Sequence, residues 1–328
     1  MKRDARHGSG LRGRRVAVVG GAGFIGSHLA DHLAEAGADV TVLDDLSVGR
    51  REHLARAVAT GRVTLRVGDA RSREDVRAAL TGQDAVVHLA ANPEARAGLV
   101  DPRVDLELGL LTTLCVAEEA HRARLKHVVF ASSGTVYGPR PALAREDTLG
   151  ALPISLYGAS KLASEAFLSA HAECFGLQVT TLRFGNVVGP RATHGVILDL
   201  CKKLRASPDH LEVLGDGRQE KPYLHVSDCV LGLVFALSQP AAEPYSAWNL
   251  TPGTTTTVAH IAALVVARSP NPSATIVYAG GSQGWRGDVP VSRMDPTRLA
   301  ELGLRIERTS DEAVAEAVEE IAREVFGR

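Results

Sequence analysis

The segment VAVVGGAGFIGSHLADHLAEAG, Val16 to Gly37, decides how the rest of the chain is read. A short β-branched strand runs through a glycine turn into an amphipathic helix, with Gly20, Gly23 and Gly26 at GxxGxxG spacing. The first glycine allows the tight turn, the second lets backbone approach a pyrophosphate, and the third lets helix and strand pack closely. The helix N-terminus offers free N–H groups and the positive end of its dipole to the phosphates. Glycines also serve plain turns, so the motif alone is weak, but strand, helix and acidic residue here follow in the required order. The acidic residue is Asp44, at the end of the second strand, where a carboxylate accepts ribose hydroxyls and repels a 2′-phosphate. This points to NAD rather than NADP. Arg50 and Arg51 read as a solvated helix start. Asp69, in RVGDAR, reads either as a contact for the adenine edge or as a loop carboxylate capping the helix at Ser72.

Outward from this unit, RRVAVVG, DVTVLDD, RVTLRVGD, DAVVHLAA and KHVVFASS alternate with helix-length segments, and LQVTTLRF follows the helix that begins near Ser155. Short strands separated by helices imply βαβ units and a parallel sheet covered on both faces, which also explains strands that are nearly all apolar. The expected fold is α/β: a Rossmann-type doubly wound parallel sheet with a smaller C-terminal α/β substrate-binding lobe. The boundaries read as a flexible basic N-terminus over 1–14, an NAD-binding domain over 15–184 and a substrate lobe over 185–328. Within that lobe, about 226–250, including VSDCVLGLVFAL, is expected to return to the sheet.

Composition narrows the function classes. The 328 residues carry 37 Lys plus Arg against 38 Asp plus Glu, a formal net charge of −1, which gives no reason to expect a nucleic-acid partner. No segment approaches the roughly 18 consecutive apolar residues of a membrane span. Cys115, Cys174, Cys201 and Cys229 are widely separated and lack metal spacing, so they read as reduced thiols in a cytoplasmic protein and no metal is expected.

SLYGASKLASE, Ser155 to Glu165, places Tyr157 and Lys161 at i and i+4 on one helical face. They lie off the apolar stripe of Leu156, Ala159, Ala163, Phe167 and Ala170. An ammonium beside a phenol favours the phenolate, so the tyrosine is a candidate base and the lysine its partner. An i,i+4 surface pair is the plainer reading, but the upstream glycine loop argues against it. Ser132, Ser133 and Thr135 follow the preceding strand and emerge at the same C-terminal sheet edge as the cofactor.

Taken in order, GGAGFIGSHL, DDLSVG, HLAA, SSGTVYG, YGASK and RFGNVVGPR resemble the extended short-chain dehydrogenase/reductases that act on nucleotide sugars, above all the UDP-glucose 4-epimerases and their relatives. The resemblance runs from Arg15 to the C-terminus. It implies a catalytic set of Tyr157, Lys161 and Ser133. It implies that NAD is lined by Gly20, Gly23, Phe24, Ile25, Asp44, Asp45, Leu46, Ser47, Gly49, Asp69, Ala70, Leu89, Ala90, Ala91, Ser132, Tyr157, Lys161 and Phe184. For the substrate it implies Ser133, Gly134, Thr135, Tyr157, Asn186, Val196, Ile197, Leu214, Lys221, Tyr223, Arg286 and Asp288, with Asn186, Lys221 and Arg286 on the diphosphate and Asp288 on ribose. It further implies a UDP-sugar substrate and a homodimer formed through helices near residues 101 to 124 and 155 to 175.

Sugar dehydratases resemble one another in an Asp-Glu, and UDP-glucuronate decarboxylases in a Glu, where this chain has Gly134-Thr135. Loss of water needs an acid/base pair that is missing here, which leaves inversion at C4. UDP-glucuronate and N-acetylhexosamines remain open as sugars, as do a reductase or dehydratase and a non-catalytic NAD sensor as wider alternatives. The chain departs from the family pattern at Gly109, where Asn is usual, at Lys221, where Arg is usual, and at Pro222.

Overall fold

The computed structural model describes residues 10–139, 142–148, 152–239 and 243–327. The strands are β1 Arg15–Val19, β2 Asp39–Asp44, β3 Val63–Val67, β4 Ala85–His88, β5 His127–Ser133, β6 Val179–Phe184, β7 Asn186–Val188, β8 His210–Val213, β9 Glu220–Lys221, β10 Tyr223–His225, β11 Tyr245–Leu250, β12 Thr256–Thr257 and β13 Thr275–Tyr278. The helices are α1 Phe24–Glu35, α2 Ala55–Ala59, α3 Arg73–Leu80, α4 Thr112–Arg122, α5 Leu156–Phe175, α6 Val196–Ala206, α7 Val226–Ser238, α8 Val258–Arg268, α9 Thr297–Glu301 and α10 Ser310–Phe326.

The chain divides into two compact units. The first comprises residues 1–133, 159–183 and 230–248, and the second residues 134–158, 184–229 and 249–328. Residues 134–158 therefore group with the second unit.

A seven-stranded sheet in the order β11-β6-β5-β4-β1-β2-β3 organises the first unit. From β3 through β5 the neighbours run parallel. Every residue of β4 and β6 is buried, the signature of a sheet covered on both faces. The strand order reverses beside β1, so the crevice at the C-terminal ends of β1 and β4 is the place where such sheets bind ligands. Its core runs through Ala17, Val19, Leu43, Val86, Val128, Phe130 and Leu168. The sequence suggests a flexible terminus up to residue 14. Residues 1–9 lie outside the described residues, but Leu11 is fully buried and Gly13 N–H donates to Gly37 O at 2.8 Å, so this last part of the terminus is docked.

The second unit has its own core, including Ile197, Leu200, Leu204, Leu211, Val265, Val314 and Ile321. It carries three two-stranded sheets, β10-β7, β12-β9 and β13-β8. A capping box between Thr309 and Glu312 opens α10, and Gly327 closes it in the left-handed conformation.

Helix α5 differs from its amphipathic reading. Leu156 and Phe167 are 44% and 47% exposed, and Ala159 and Ala170 are exposed too, so the apolar stripe faces outward. The buried residues are Gly158, Ser160, Lys161, Ser164, Glu165, Leu168 and Ala172. Hydrogen bonds to neighbouring strands make this polar face tolerable in the interior. Among the described residues, no helix is long and apolar enough to cross a membrane.

Candidate active site

The glycine turn is closed to side chains where the fingerprint demands it. Gly20 has φ 82°, and a Cβ there would lie 2.7 Å from Ala90 N. At Gly26 a Cβ would lie 2.3 Å from Gly20 O, whereas at Gly23 its nearest neighbour would be that same oxygen at 3.4 Å. The turn is thus locked against the β4 end and against α1, with room left at Gly23. That is a cradle into which a pyrophosphate backbone fits. Leu89 and Ala90 both donate their N–H to Val19 O, at 2.8 and 3.0 Å, which fixes the opposite wall.

Asp44 holds this turn. Its Oδ2 accepts from Ala22 N–H and its Oδ1 from Leu46 N–H, each at 2.9 Å. Burial pushes its pKa above the usual carboxylate value, opposed by those backbone donors. The Gly23 N–H donates to the same carboxylate, and three backbone donors leave it capacity for a further hydroxyl. Leu46 takes φ 59°, and a Cβ on Gly49 would meet Asp44 Oδ1 at 2.6 Å, so the DDLSVG turn is shaped around this carboxylate. Asp45 accepts from Ser47 N–H and hydroxyl at 2.9 and 2.6 Å.

Asp69 is tied to Arg71, whose Nη2 lies 2.7 Å from Oδ2, and the Arg71 hydrogen bond holds its pKa below the usual range. Ser72 itself caps α3, accepting from Asp75 N–H at 3.3 Å. Asp69 is therefore not the helix cap. Phe24 is buried at the start of α1 with its ring edge-on to His28, Ile25 is half-buried, and Ala70 and Ala90 pack against the core. Ala91 is half-buried after β4, and Phe184 ends β6 and is counted with the second unit.

Lys161 is 3% exposed, donates from Nζ to Ala131 O at 2.7 Å, and lies 4.8 Å from the centre of the Phe130 ring. Burial pushes its pKa down to about 8, while Glu165 and Asp105 pull it back up. Tyr157 precedes it by one helical turn. Ser132 and Ser133 end β5, with Ser132 buried and Ser133 half-buried.

Several groups around Lys161 escape a reading of the sequence. Asn92 Nδ2 donates to Asp105 Oδ1 at 3.0 Å, and burial raises the Asp105 pKa. His88 is buried, bonded through Nε2 to Thr113 Oγ1 at 3.1 Å, and burial pushes it down to about 3. Glu165 is buried against Ser132 and Arg183. The i,i+4 step from Lys161 to Glu165 was the one available signal. Asn92, Asp105 and Arg183 stand at distances along the chain that no periodicity links. Gly109, the departure from the family pattern, lies in the π-helical turn Leu106–Leu111, where a Cβ would come 2.6 Å from Ser160 Oγ. Its carbonyl accepts the hydroxyls of Thr112 and Thr113 at 3.0 and 2.7 Å.

In the second unit, a Cβ on Gly134 would come 2.6 Å from Met294 Sδ. Thr135 lies in the short 3-10 turn Gly134–Tyr137. Tyr223 is buried and bonded to Asn186, which opens β7 and is exposed. Lys221 forms an ion pair with Asp288, the two residues expected on diphosphate and ribose. A phosphate would compete with that carboxylate for the ammonium. Gly284 N–H donates to Asp288 Oδ2 at 3.2 Å, Arg286 is exposed, and Leu214 and Val196 are half-buried. Ile197 is corrected: it is 2% exposed inside the core, so its side chain packs rather than lining a pocket.

Among the described residues, His225, Glu316 and Glu320 bring ligand atoms within 4.8 Å of one another. The His225 ring already meets Ser227 Oγ at 2.7 Å and Glu320 at 3.0 Å, with Arg308 3.3 Å from Glu316, which is a closed ion and hydrogen-bond network.

The NAD dependent epimerase/dehydratase family matches residues 16–251. The chain is 31% identical over 317 residues to a UDP-glucose 4-epimerase of Mycolicibacterium smegmatis, covering 93% of this chain and 97% of that one. It is similar to a crystal structure of a UDP-galactose 4-epimerase at 37% identity and a TM-score of 0.83, covering 95% and 100% of the two chains. MoeE5, solved with UDP-glucuronic acid and NAD, is 29% identical with a TM-score of 0.83, covering 94% and 99%. The cofactor is NAD, for which the glycine cradle and Asp44 are suited. The chain belongs to the NAD dependent epimerase/dehydratase family.

Proposed function

We propose that the protein is a UDP-sugar 4-epimerase, working through a transient 4-keto sugar, with UDP-glucose and UDP-galactose as its first pair. The enzyme's coarser class, an NAD-dependent sugar-nucleotide epimerase, follows from the family and the relatives. The observation that supports the finer reading is that Lys161, one helical turn after Tyr157, is buried and held by Ala131 O at the end of β5.

Tyr157 takes the O4 proton as a phenolate, and the Lys161 charge favours that phenolate. Ser133 bonds O4 and relays the proton. Bound NAD supplies the acceptor and donor of the C4 hydride. Between the two transfers the sugar turns about its diphosphate link and presents its other face, while Asn186, Lys221 and Arg286 hold the diphosphate. Lys221 has three N–H donors, so it can hold the diphosphate while its ion pair with Asp288 keeps that carboxylate beside the ribose.

Dehydration is disfavoured because Met294 fills the space a side chain at Gly134 would need. A hexuronate is the second reading, favoured by the likeness to MoeE5, and the open surroundings of Gly280 and Gly281, where a Cβ meets nothing within 4 Å, leave room for a larger substituent. In this reading most of the NAD-binding residues belong to the first unit and most of the nucleotide-sugar residues to the second, with Tyr157 and Phe184 of the second unit also assigned to NAD and Ser133 of the first to the sugar. The protein works as a cytoplasmic homodimer, supported by four unpaired cysteines and by the outward apolar face of α5.

The test is incubation of the purified protein with UDP-sugars and no added reductant. Isomer should form without net change in nicotinamide absorbance, and Tyr157→Phe should lower the rate by about a hundredfold or more. A Tyr157→Phe rate within a few-fold of wild type would remove the tyrosine from this role.

A further inference from the structure

Tyr157, Lys161 and Glu165 succeed one another at i, i+4 and i+8 along α5. The Glu165 carboxylate is buried and multiply engaged. Ser132 Oγ donates to its Oε1 at 2.5 Å, Arg183 Nε donates to Oε1 at 3.0 Å and Nη2 to Oε2 at 2.6 Å, and the Tyr245 hydroxyl reaches Oε2 at 3.4 Å. One turn earlier, Lys161 donates to Ala131 O at 2.7 Å. Two consecutive residues at the end of β5 are therefore tied to two consecutive turns of α5. The next residue of that strand is Ser133, the hydroxyl assigned to the substrate.

We propose that Glu165 is a positioning residue for the reaction, orienting the end of β5 through Ser132 and supplying the anionic charge that keeps Lys161 a cation. The inference rests on the reading of Tyr157 and Lys161 given above.

The charges around Lys161 support this assignment. Glu165 is the strongest influence restoring its proton against burial, with Asp105, from the segment before the π-helical turn, second. His88, from β4, is kept neutral by burial and by the lysine itself. Tyr245, from β11, is pushed up by burial and by Glu165, so it stays protonated. Arg183, from β6, shares the Glu165 carboxylate, and Tyr157 precedes Lys161 by one turn of the same helix. A glutamate that served only as an anchor for Arg183 would affect stability and leave the pH profile of kcat in place.

The experiment compares the pH dependence of kcat in wild type, Glu165→Gln and Glu165→Asp. Glutamine keeps the shape and removes the charge, so the alkaline limb should move to lower pH by about one unit. The loss of kcat should be about tenfold at the alkaline end and shrink toward acid pH. Aspartate keeps the charge and should restore the position of the limb. Where Glu165→Gln leaves Arg183 unpaired and does not fold, the double variant Glu165→Gln/Arg183→Gln removes both buried charges and should move the limb in the same direction by a smaller amount, because the carboxylate is the one of the pair that acts on Lys161. A folded Glu165→Gln or double variant with the wild-type pH profile overturns the proposal. Lys161→Met is assayed alongside. If it is inactive while the Glu165 variants keep the wild-type profile, only the role of Glu165 falls. If it is active, the base-and-charge reading falls and takes this proposal with it.

Discussion

At the scale of single residues, Lys161 is a side chain whose placement opposes stability. Its pKa drops from 10.5 to about 8 chiefly through burial. Between these values the unfolded chain binds more protons than the folded one, so the penalty is fully present below about pH 8 and fades as the pH rises toward 10.5. At roughly 1.4 kcal/mol per unit the penalty is about 3 kcal/mol near neutrality. Lys161→Met should therefore raise the melting temperature at pH 7 while abolishing turnover, and its advantage should shrink as the pH rises. Thermal melts of both proteins across alkaline pH check this, and a lower melting temperature for the variant at pH 7 would count against it. Tyr157 and Lys161 were legible because their pairing is a helical step. Glu165 became visible as part of the site only once β5 and β6 were placed beside α5, because Ser132 and Arg183 lie 33 and 18 residues away in the chain.

Elements show a different division. The β1 turn was readable almost completely from its spacing: Gly23 and Gly26 answer to contacts within the turn itself, and Gly20 to Leu89 and Ala90 at the end of β4. Helix α5 was not. Periodicity finds its apolar stripe but cannot say which face meets the sheet, and here the polar face does, because strand ends and Arg183 satisfy it. The β4–β5 pair makes its own prediction. His88 and His127 are both buried and pushed down by burial, to about 3 and about 4. The folded state thus refuses protons that the unfolded chain accepts below about pH 6.5, so stability is lost as the pH falls from there. Each histidine should contribute a slope of about 1.4 kcal/mol per pH unit. His127 also meets Thr180 Oγ1 at 2.8 Å, so His127→Asn will lower stability somewhat at neutral pH. It should still roughly halve the acid slope in urea titrations run between pH 6 and 4.5. An unchanged slope would show that the ring is protonated in the fold.

For the whole molecule, the parallel sheet with its reversal beside β1 brings the ends of β1, β2, β4 and β5, and with them the glycine turn, Asp44 and the serine pair, to one edge. The outward apolar residues of the same unit belong to this scale too. Leu106, Leu111, Phe167 and Phe175 are exposed on or beside α4 and α5, an arrangement suited to a second copy of the chain. Sedimentation should give a dimer for wild type, and Phe167→Glu should shift it toward monomer at low micromolar concentration. A wild-type monomer would sink the homodimer.

Spacing along the chain carries the βα rhythm, the glycine turn, the acidic residue at the end of β2 and the Tyr157–Lys161 step, because each depends on neighbours a few residues apart or on one repeating unit. The burial of Lys161, the network of Glu165, Ser132 and Arg183, the ion pair of Lys221 with Asp288 and the closing of the space at Gly134 by Met294 come from the packing of the folded chain. Those facts depend on desolvation and on contacts between distant segments, which no spacing along the chain encodes.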